Sequence, residues 1–210
     1  MISWCSLCHS FVSFVLNIQF LEVPLNYLMF ETERLIIKKM TPDDLAWLID
    51  LRSTEAVNRY MGGILMQNAE AITARLPFYI GCHEKFGFGF CTMALKSTGE
   101  MIGTSGLLPL EGTGEIEVGY NLAEKYWRQG FGYECAYAWL KYGFETAGLE
   151  RIVAVANPAN TGSWRIMEKC GMRYETTEQH YGSQCVFYAI SRSEFGVAAL
   201  AGSLSEGEAN

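Results

Sequence analysis

The sequence predicts an α+β fold: one domain built on a single mixed, mostly antiparallel sheet with helices packed on it. Three observations lead there. Strand-like runs are joined by helices in some places and by tight turns in others, which fits neither a uniform βαβ array nor an all-β sandwich. Turn-forming stretches, Ser97-Thr98-Gly99-Glu100 and Glu111-Gly112-Thr113-Gly114, separate runs of strand character. The chain has 210 residues, 50% of them apolar, which suits one sizeable core better than two small ones.

Residues 1–28 hold no Lys or Arg, and 10–21 is strongly apolar. A signal peptide needs a basic start and a small-residue cleavage site, and a membrane helix needs a longer clean run; neither pattern is met. The expectation is an apolar N-terminal extension over 1–28 outside the core, a folded domain over 29–195 and a flexible glycine-containing tail over 196–210. The first strand is expected at 35–40. Thr41-Pro42-Asp43-Asp44 then opens a helix, since Thr can cap, Pro tolerates the first helical position and the acids face the positive helix end. That helix runs to about Arg52. A second helix is expected over 68–76, stopping before Pro77.

A hairpin follows, 88–96 paired with 101–108, and then a strand at 115–122. Residues 132–147 carry Ala136, Tyr137, Leu140, Phe144 and Ala147 at helical spacing. Arg151-Ile152-Val153-Ala154-Val155-Ala156 reads as a strand buried on both faces. Asn157-Pro158-Ala159-Asn160 turns the chain into a short helix over 163–170, and a last hairpin pairs 172–177 with 184–191.

Acidic residues outnumber basic ones, 23 to 16, for a formal net charge of −7, and no Lys/Arg cluster interrupts the pattern. Nucleic acid is therefore not an expected partner, because phosphate contacts need a basic face. No membrane association is expected. Seven cysteines is an odd count, and Cys82, Cys91, Cys135, Cys170 and Cys185 stand singly in apolar runs, as reduced core residues of a cytoplasmic protein would. Cys5-Ser6-Leu7-Cys8-His9 has the C-x-x-C-H form of haem attachment, but nothing ahead of it directs export, and haem is not expected. The three His residues have no ligand spacing, so no metal is expected either.

The stretch Trp127-Arg128-Gln129-Gly130-Phe131-Gly132-Tyr133-Glu134 sets two glycines between a strand and a helix. A helix N-terminus offers free N–H groups where the dipole is positive, and glycine lets an anion approach them. Neither standard nucleotide loop fits. No Lys-Ser or Lys-Thr follows Gly132, and the position three beyond it is Cys135 rather than glycine.

Four runs in order, Glu117-Val118-Gly119-Tyr120-Asn121-Leu122, then Tyr126 to Ala136, then Asn157-Pro158-Ala159-Asn160-Thr161-Gly162-Ser163, then Met167-Glu168-Lys169-Cys170-Gly171-Met172, resemble the GNAT N-acetyltransferase superfamily, within it the RimJ/RimL-type branch. The resemblance spans 29–195. It implies a seven-stranded mixed sheet splayed at its centre, with acetyl-CoA as cosubstrate between the two central parallel strands. Its pyrophosphate would lie on the amides of Gln129, Gly130, Phe131, Gly132 and Tyr133. Trp127 stands where the family usually has Gln or Arg, so a side-chain contact to phosphate does not carry over. Residues matching Asn160 and Ser163 approach the pantetheine and phosphate portions, and Asn157 lies near the acetyl end; each of the three also serves as a plain turn or cap residue.

Along 115–122, Ile116, Val118, Tyr120 and Leu122 share one face and Glu115, Glu117, Gly119 and Asn121 the other. Glu117 reads either as a solvated acid on a half-exposed strand or as the general base that takes the amine's proton, the role its alignment with the family acid implies. A strand N–H near Tyr120, Asn121 or Leu122 would donate to the thioester oxygen. Many relatives donate a proton from a tyrosine where this chain has Met167; Tyr174 and Tyr188 are the substitutes the sequence offers. The reading is direct transfer to a primary amine, on a protein N-terminus or a small molecule, by a monomer or homodimer. Its alternative is a non-catalytic acyl-CoA-sensing module. Residues 56–86, with Tyr60, Arg75 and Tyr79, are expected to shape the acceptor pocket, and the acidic balance favours a cationic acceptor.

Overall fold

The computed structural model describes Pro24, residues 26–61 and residues 67–196. The expectations for the N-terminal extension up to residue 23, with its C-x-x-C-H stretch, and for 197–210 fall outside these residues. Eight strands form one sheet: β1 (Leu28–Glu31), β2 (Leu35–Lys39), β3 (Phe90–Leu95), β4 (Met101–Pro109), β5 (Ile116–Leu122), β6 (Arg151–Ala156), β7 (Arg173–His180) and β8 (Ser183–Ser191). Their spatial order is β1-β2-β3-β4-β5-β6-β8-β7. Every pairing is antiparallel except β5 with β6. The sheet thus has one strand more than the seven expected. The addition is β1, too short to show a periodicity of its own and held by its ladder to β2.

Helices α1 (Leu45–Ser53), α2 (Glu55–Asn58) and α3 (Ala69–Phe86) pack on one side, and α4 (Phe131–Glu145) and α5 (Thr161–Lys169) belong to the other. The larger core sets Trp139, Leu140 and Phe144 of α4 against Leu107, Val118 and Ile152 of the sheet. Trp139 is fully buried and its indole N–H donates to Ser105 Oγ at 2.9 Å, so the ring enters the core with its polar atom satisfied. A second core gathers Leu48, Ile72, Leu76, Tyr79 and Cys82 against Met40, Phe90 and Leu108. Each such side chain contributes on the order of 1.5–3 kcal/mol by leaving water.

The second helix does not stop at Pro77 as expected. Asn68 caps it, accepting from Ala71 N at 2.8 Å, and Gly87, at φ 77°, closes it. Its buried stripe, Ile72, Leu76, Tyr79 and Cys82, continues past the proline at helical spacing. Burial of Tyr79 and Cys82 on the second core outweighs the single backbone hydrogen bond that Pro77 cannot make. Since Pro77 is exposed, Pro77→Ala should restore that bond without disturbing the core. Equilibrium urea unfolding should show a gain of about 2 kcal/mol, less the entropy the proline removes from the unfolded chain.

Candidate active site

Strands β5 and β6 pair at Glu117 and Val153. Beyond that point the sheet opens, and a cavity of about 850 Å³ lies at the opening. It is lined by Glu117, Tyr120, Asn121, Asn157, Asn160 and Ser163 from the strand ends and the start of α5, and by Arg52, Tyr60, Arg75 and Tyr79 from the helical side. Six of the sequence-expected residues therefore meet in one place, and Tyr60, Arg75 and Tyr79 shape its wall. Leu122 and the loop from Gln129 to Tyr133 sit just beyond, where β5 passes into α4. A Cβ placed on Gly132 would come within 3.8 Å of Leu122 Cδ1, 4.0 Å of Tyr120 Cδ2 and only 2.8 Å of Ile166 Cδ1. A side chain here would have to displace the end of Ile166, so glycine lets α4 start close to α5 without that shift.

Gly130, at φ 85° and ψ −8°, occupies the N-cap position of α4, and no side chain caps the helix. The amides of Phe131, Gly132 and Tyr133 lie in the first turn, where a helix supplies no acceptor. The loop is fastened from three sides. Glu134 accepts from Thr32 Oγ1 and from Arg34 N at 2.8 Å, and pairs with Arg34 Nε at 2.6 Å. Arg34 Nη1 donates to Gln129 O at 3.0 Å, and its guanidinium lies 4.3 Å over the Phe131 ring. Trp127 Nε1 donates to Leu122 O at 2.8 Å, tying the loop to the strand end.

Asn157 Oδ1 accepts from Ala159 N at 2.9 Å and Asn160 Oδ1 from Ser163 N at 3.3 Å. Both thus have turn and cap roles while also facing the cavity. Tyr120 OH donates to Ser163 O at 3.0 Å, which locks β5 to α5. Asn121 is different: both of its side-chain polar atoms are buried and without a hydrogen-bond partner among the described residues. An unsatisfied amide on a cavity wall suits an amide-bearing ligand such as pantetheine, and the first-turn amides of α4 suit its diphosphate.

Glu117 is 9% exposed, so the solvated-acid alternative does not hold. Burial raises its carboxyl to about 7, opposed by a hydrogen bond from Tyr181 OH. Tyr181 stands in the β7–β8 turn at φ 52° and lines the same cavity. Burial and the neighbouring Glu117 hold its hydroxyl well above the ordinary phenol range, so it remains a donor. Sequence reasoning missed it, because a Tyr-Gly turn between strands carries no mark of the residue it will meet across the sheet. Tyr174 is exposed and bonded to Thr177, while Tyr188 donates to Glu168; neither lines the cavity. Of the five cysteines among the described residues only Cys185 lines it, and burial raises that thiol above its ordinary value.

Arg52 was also missed. It is fully buried, one helical turn beyond Leu48 on the face that packs inward. That break in an apolar stripe was the available signal. Arg52 Nη1 donates to Gln67 Oε1 and to Tyr79 OH, each at 3.3 Å. Among the described residues there is no cluster of His, Cys, Asp and Glu able to hold a metal, and no helix long and apolar enough to cross a membrane.

The sequence and the fold have counterparts among known proteins. The family described as the acetyltransferase (GNAT) domain matches residues 34–173. An uncharacterized N-acetyltransferase, YoaA of Bacillus subtilis, is 31% identical over 153 residues, covering 72% of this chain and 86% of the relative. A GNAT-family acetyltransferase structure from Bacillus anthracis superposes with a TM-score of 0.65 at 27% identity, over 78% of this chain and 98% of that one. The aminoglycoside acetyltransferase AAC(6')-Ib, solved in complex with coenzyme A, shares the fold at a TM-score of 0.63 and 19% identity, over 77% of this chain and 97% of that one. The chain belongs to the GNAT acetyltransferases, enzymes that take their acetyl group from acetyl-CoA.

Glu117 makes stability depend on pH. Between its unfolded value of 4.5 and its folded value of about 7 the native state binds the extra proton, so stability falls as pH rises through that window. Above it the loss is about 3 kcal/mol. Glu117→Gln keeps an acceptor for Tyr181 without the charge. Urea titrations should find it more stable than wild type at alkaline pH by up to ~3 kcal/mol, with the gap closing in acid.

Proposed function

We propose that the protein is an N-acetyltransferase that moves the acetyl group of acetyl-CoA directly to a primary amine in a ternary complex, with Glu117 as general base. The observation that carries this reading is a buried carboxylate, tuned to about 7, at the point where β5 and β6 part. An amine attacks only when neutral, and a base poised near neutral pH both accepts its proton and releases it again. Bound acetyl-CoA supplies an activated acyl group: the C–N bond forms as the C–S bond breaks, and coenzyme A leaves as a thiolate that solvent protonates.

The remaining roles follow from position. The amides of Gln129, Gly130, Phe131, Gly132 and Tyr133 hold the diphosphate, and Asn121, Asn160 and Ser163 take the pantetheine arm. A backbone N–H among Tyr120, Asn121 and Leu122 donates to the carbonyl oxygen as it gains charge. Asn157 lies by the acetyl end. Tyr181 keeps Glu117 in place and its carboxylate form stabilised, while the protonated buried thiols favour transfer without a covalent enzyme intermediate. The resemblance carried by the four runs 117–122, 126–136, 157–163 and 167–172 favours the RimJ/RimL-type branch, with 29–195 as the catalytic domain and the cytoplasm as its setting.

Thiol release with acetyl-CoA and a panel of amines tests the assignment. Glu117→Gln should bind coenzyme A as wild type does by calorimetry while kcat/KM falls about 100-fold or more. Full activity in that variant would remove Glu117 from the mechanism. Binding of coenzyme A without turnover of any amine would favour the sensing module. For Tyr181→Phe, losing the hydrogen bond that lowers the Glu117 value should move the acidic limb of the kcat/KM profile from about 7 to higher pH.

A further inference from the structure

Arg52 presents a buried charge with no counter-ion among the described residues. Its side chain is fully buried, yet Nε and Nη2 have no hydrogen-bond partner among the described residues. The ion pairs among those residues involve other cations. The segment between Met61 and Gln67 contributes no carboxylate by sequence. Its partners among the described residues are neutral: the Gln67 amide oxygen, the Tyr79 hydroxyl, and the rings of Tyr79 and Phe90 at 5.6 and 5.9 Å from the guanidinium carbon. Gln67 Nε2 is committed to Met61 O, and Asn58 Nδ2 to Arg52 O, so the wall that holds Arg52 is itself fixed.

A buried guanidinium is expected to be paired, and a planar fork with free N–H groups matches a carboxylate in particular. Arg52 lines the same cavity as Glu117 and Tyr181. Tyr79, which accepts from Arg52, lies within electrostatic reach of Tyr181. Anion site and base therefore share one chamber.

We infer that the acceptor is a small amine that also carries a carboxylate, held by Arg52 while Glu117 takes the proton from its amine. The inference rests on the acetyltransferase reading above. It replaces the cationic acceptor that the overall acidic balance suggested: net charge acts at long range, whereas within the cavity a polyamine would face a buried cation that has no ion-pair partner among the described residues. In the transfer the amine nitrogen loses its proton to Glu117 and gains the acetyl carbon as coenzyme A departs; the carboxylate on Arg52 is unchanged. Two sources carry this chemistry, a free amino acid and the N-terminus of a peptide with an acidic first side chain.

Matched pairs distinguish them. Wild-type protein is assayed for thiol release with lysine, glutamate and methionine against their carboxamides, with 1,5-diaminopentane as decarboxylated lysine, and with Asp-Ala-Ala amide against Asn-Ala-Ala amide. The acids should exceed their neutral partners in kcat/KM by about 10- to 100-fold. A preference among free amino acids identifies that source, and one confined to the peptides identifies the other. Arg52→Met, which preserves bulk, should abolish the preference by lowering the acids alone, and Arg52→Lys should keep part of it. Equal or better turnover of carboxamides or diamine by wild type overturns the inference, whatever the variants' fold. If nothing is acetylated, the acetyltransferase reading is what failed. Calorimetry of the coenzyme A-loaded protein with the same acids then decides separately: heat that Arg52→Met removes supports the anion site, and no heat with any of them overturns it.

Discussion

The structure depends on where two parallel strands stop pairing. β5 and β6 meet at Glu117 and Val153, and the chain then carries them apart to Leu122 and Ala156. Backbone groups released at such a parting must find other partners or face a ligand. Two devices keep the opening from collapsing. Tyr120 reaches across to the Ser163 carbonyl, bracing β5 against α5, and Trp127 ties the following loop to the Leu122 carbonyl. The wedge between the strands is thus held open by hydrogen bonds made on its flanks.

The same opening explains the chemistry of Glu117. On a closed sheet edge this carboxylate would be wet and its proton affinity ordinary. At the head of a cavity it is almost dry, and Tyr181 from the opposite half of the sheet supplies a hydrogen bond that partly offsets the desolvation. Burial and a donor act against each other, and their balance places the group near neutrality. Halves of the sheet that are far apart in sequence meet at this pair, β5 on one side and the β7–β8 turn on the other.

Much of this was legible beforehand, for a definite reason. Strand parity along 115–122, the Gly130–Gly132 spacing and the Asn157–Ser163 turn are local patterns, and local patterns register in a linear string. Seven of the eight strands and the helices that carry the site follow from such signals. The failures are of two kinds. β1 and the continuation of α3 past Pro77 are decided by partners, a ladder to β2 and a buried face, that override weak or contrary propensity. Arg52 and Tyr181 belong to the second kind. Each matters through a partner distant in the chain, 27 residues away for Arg52 and Tyr79 and 64 for Tyr181 and Glu117; an interrupted apolar stripe marks Arg52 without naming its partner, and nothing local marks Tyr181.

The clamp of Glu134 on Thr32 and Arg34 joins the outermost hairpin of the sheet to the loop that opens α4. That hairpin is the sheet's border, the place where an appended tag, a fusion or a neighbouring molecule would first touch the domain. Tension applied at the border is therefore transmitted to the first turn of α4, so this margin bears on the set of a loop that lies outside the reaction chamber.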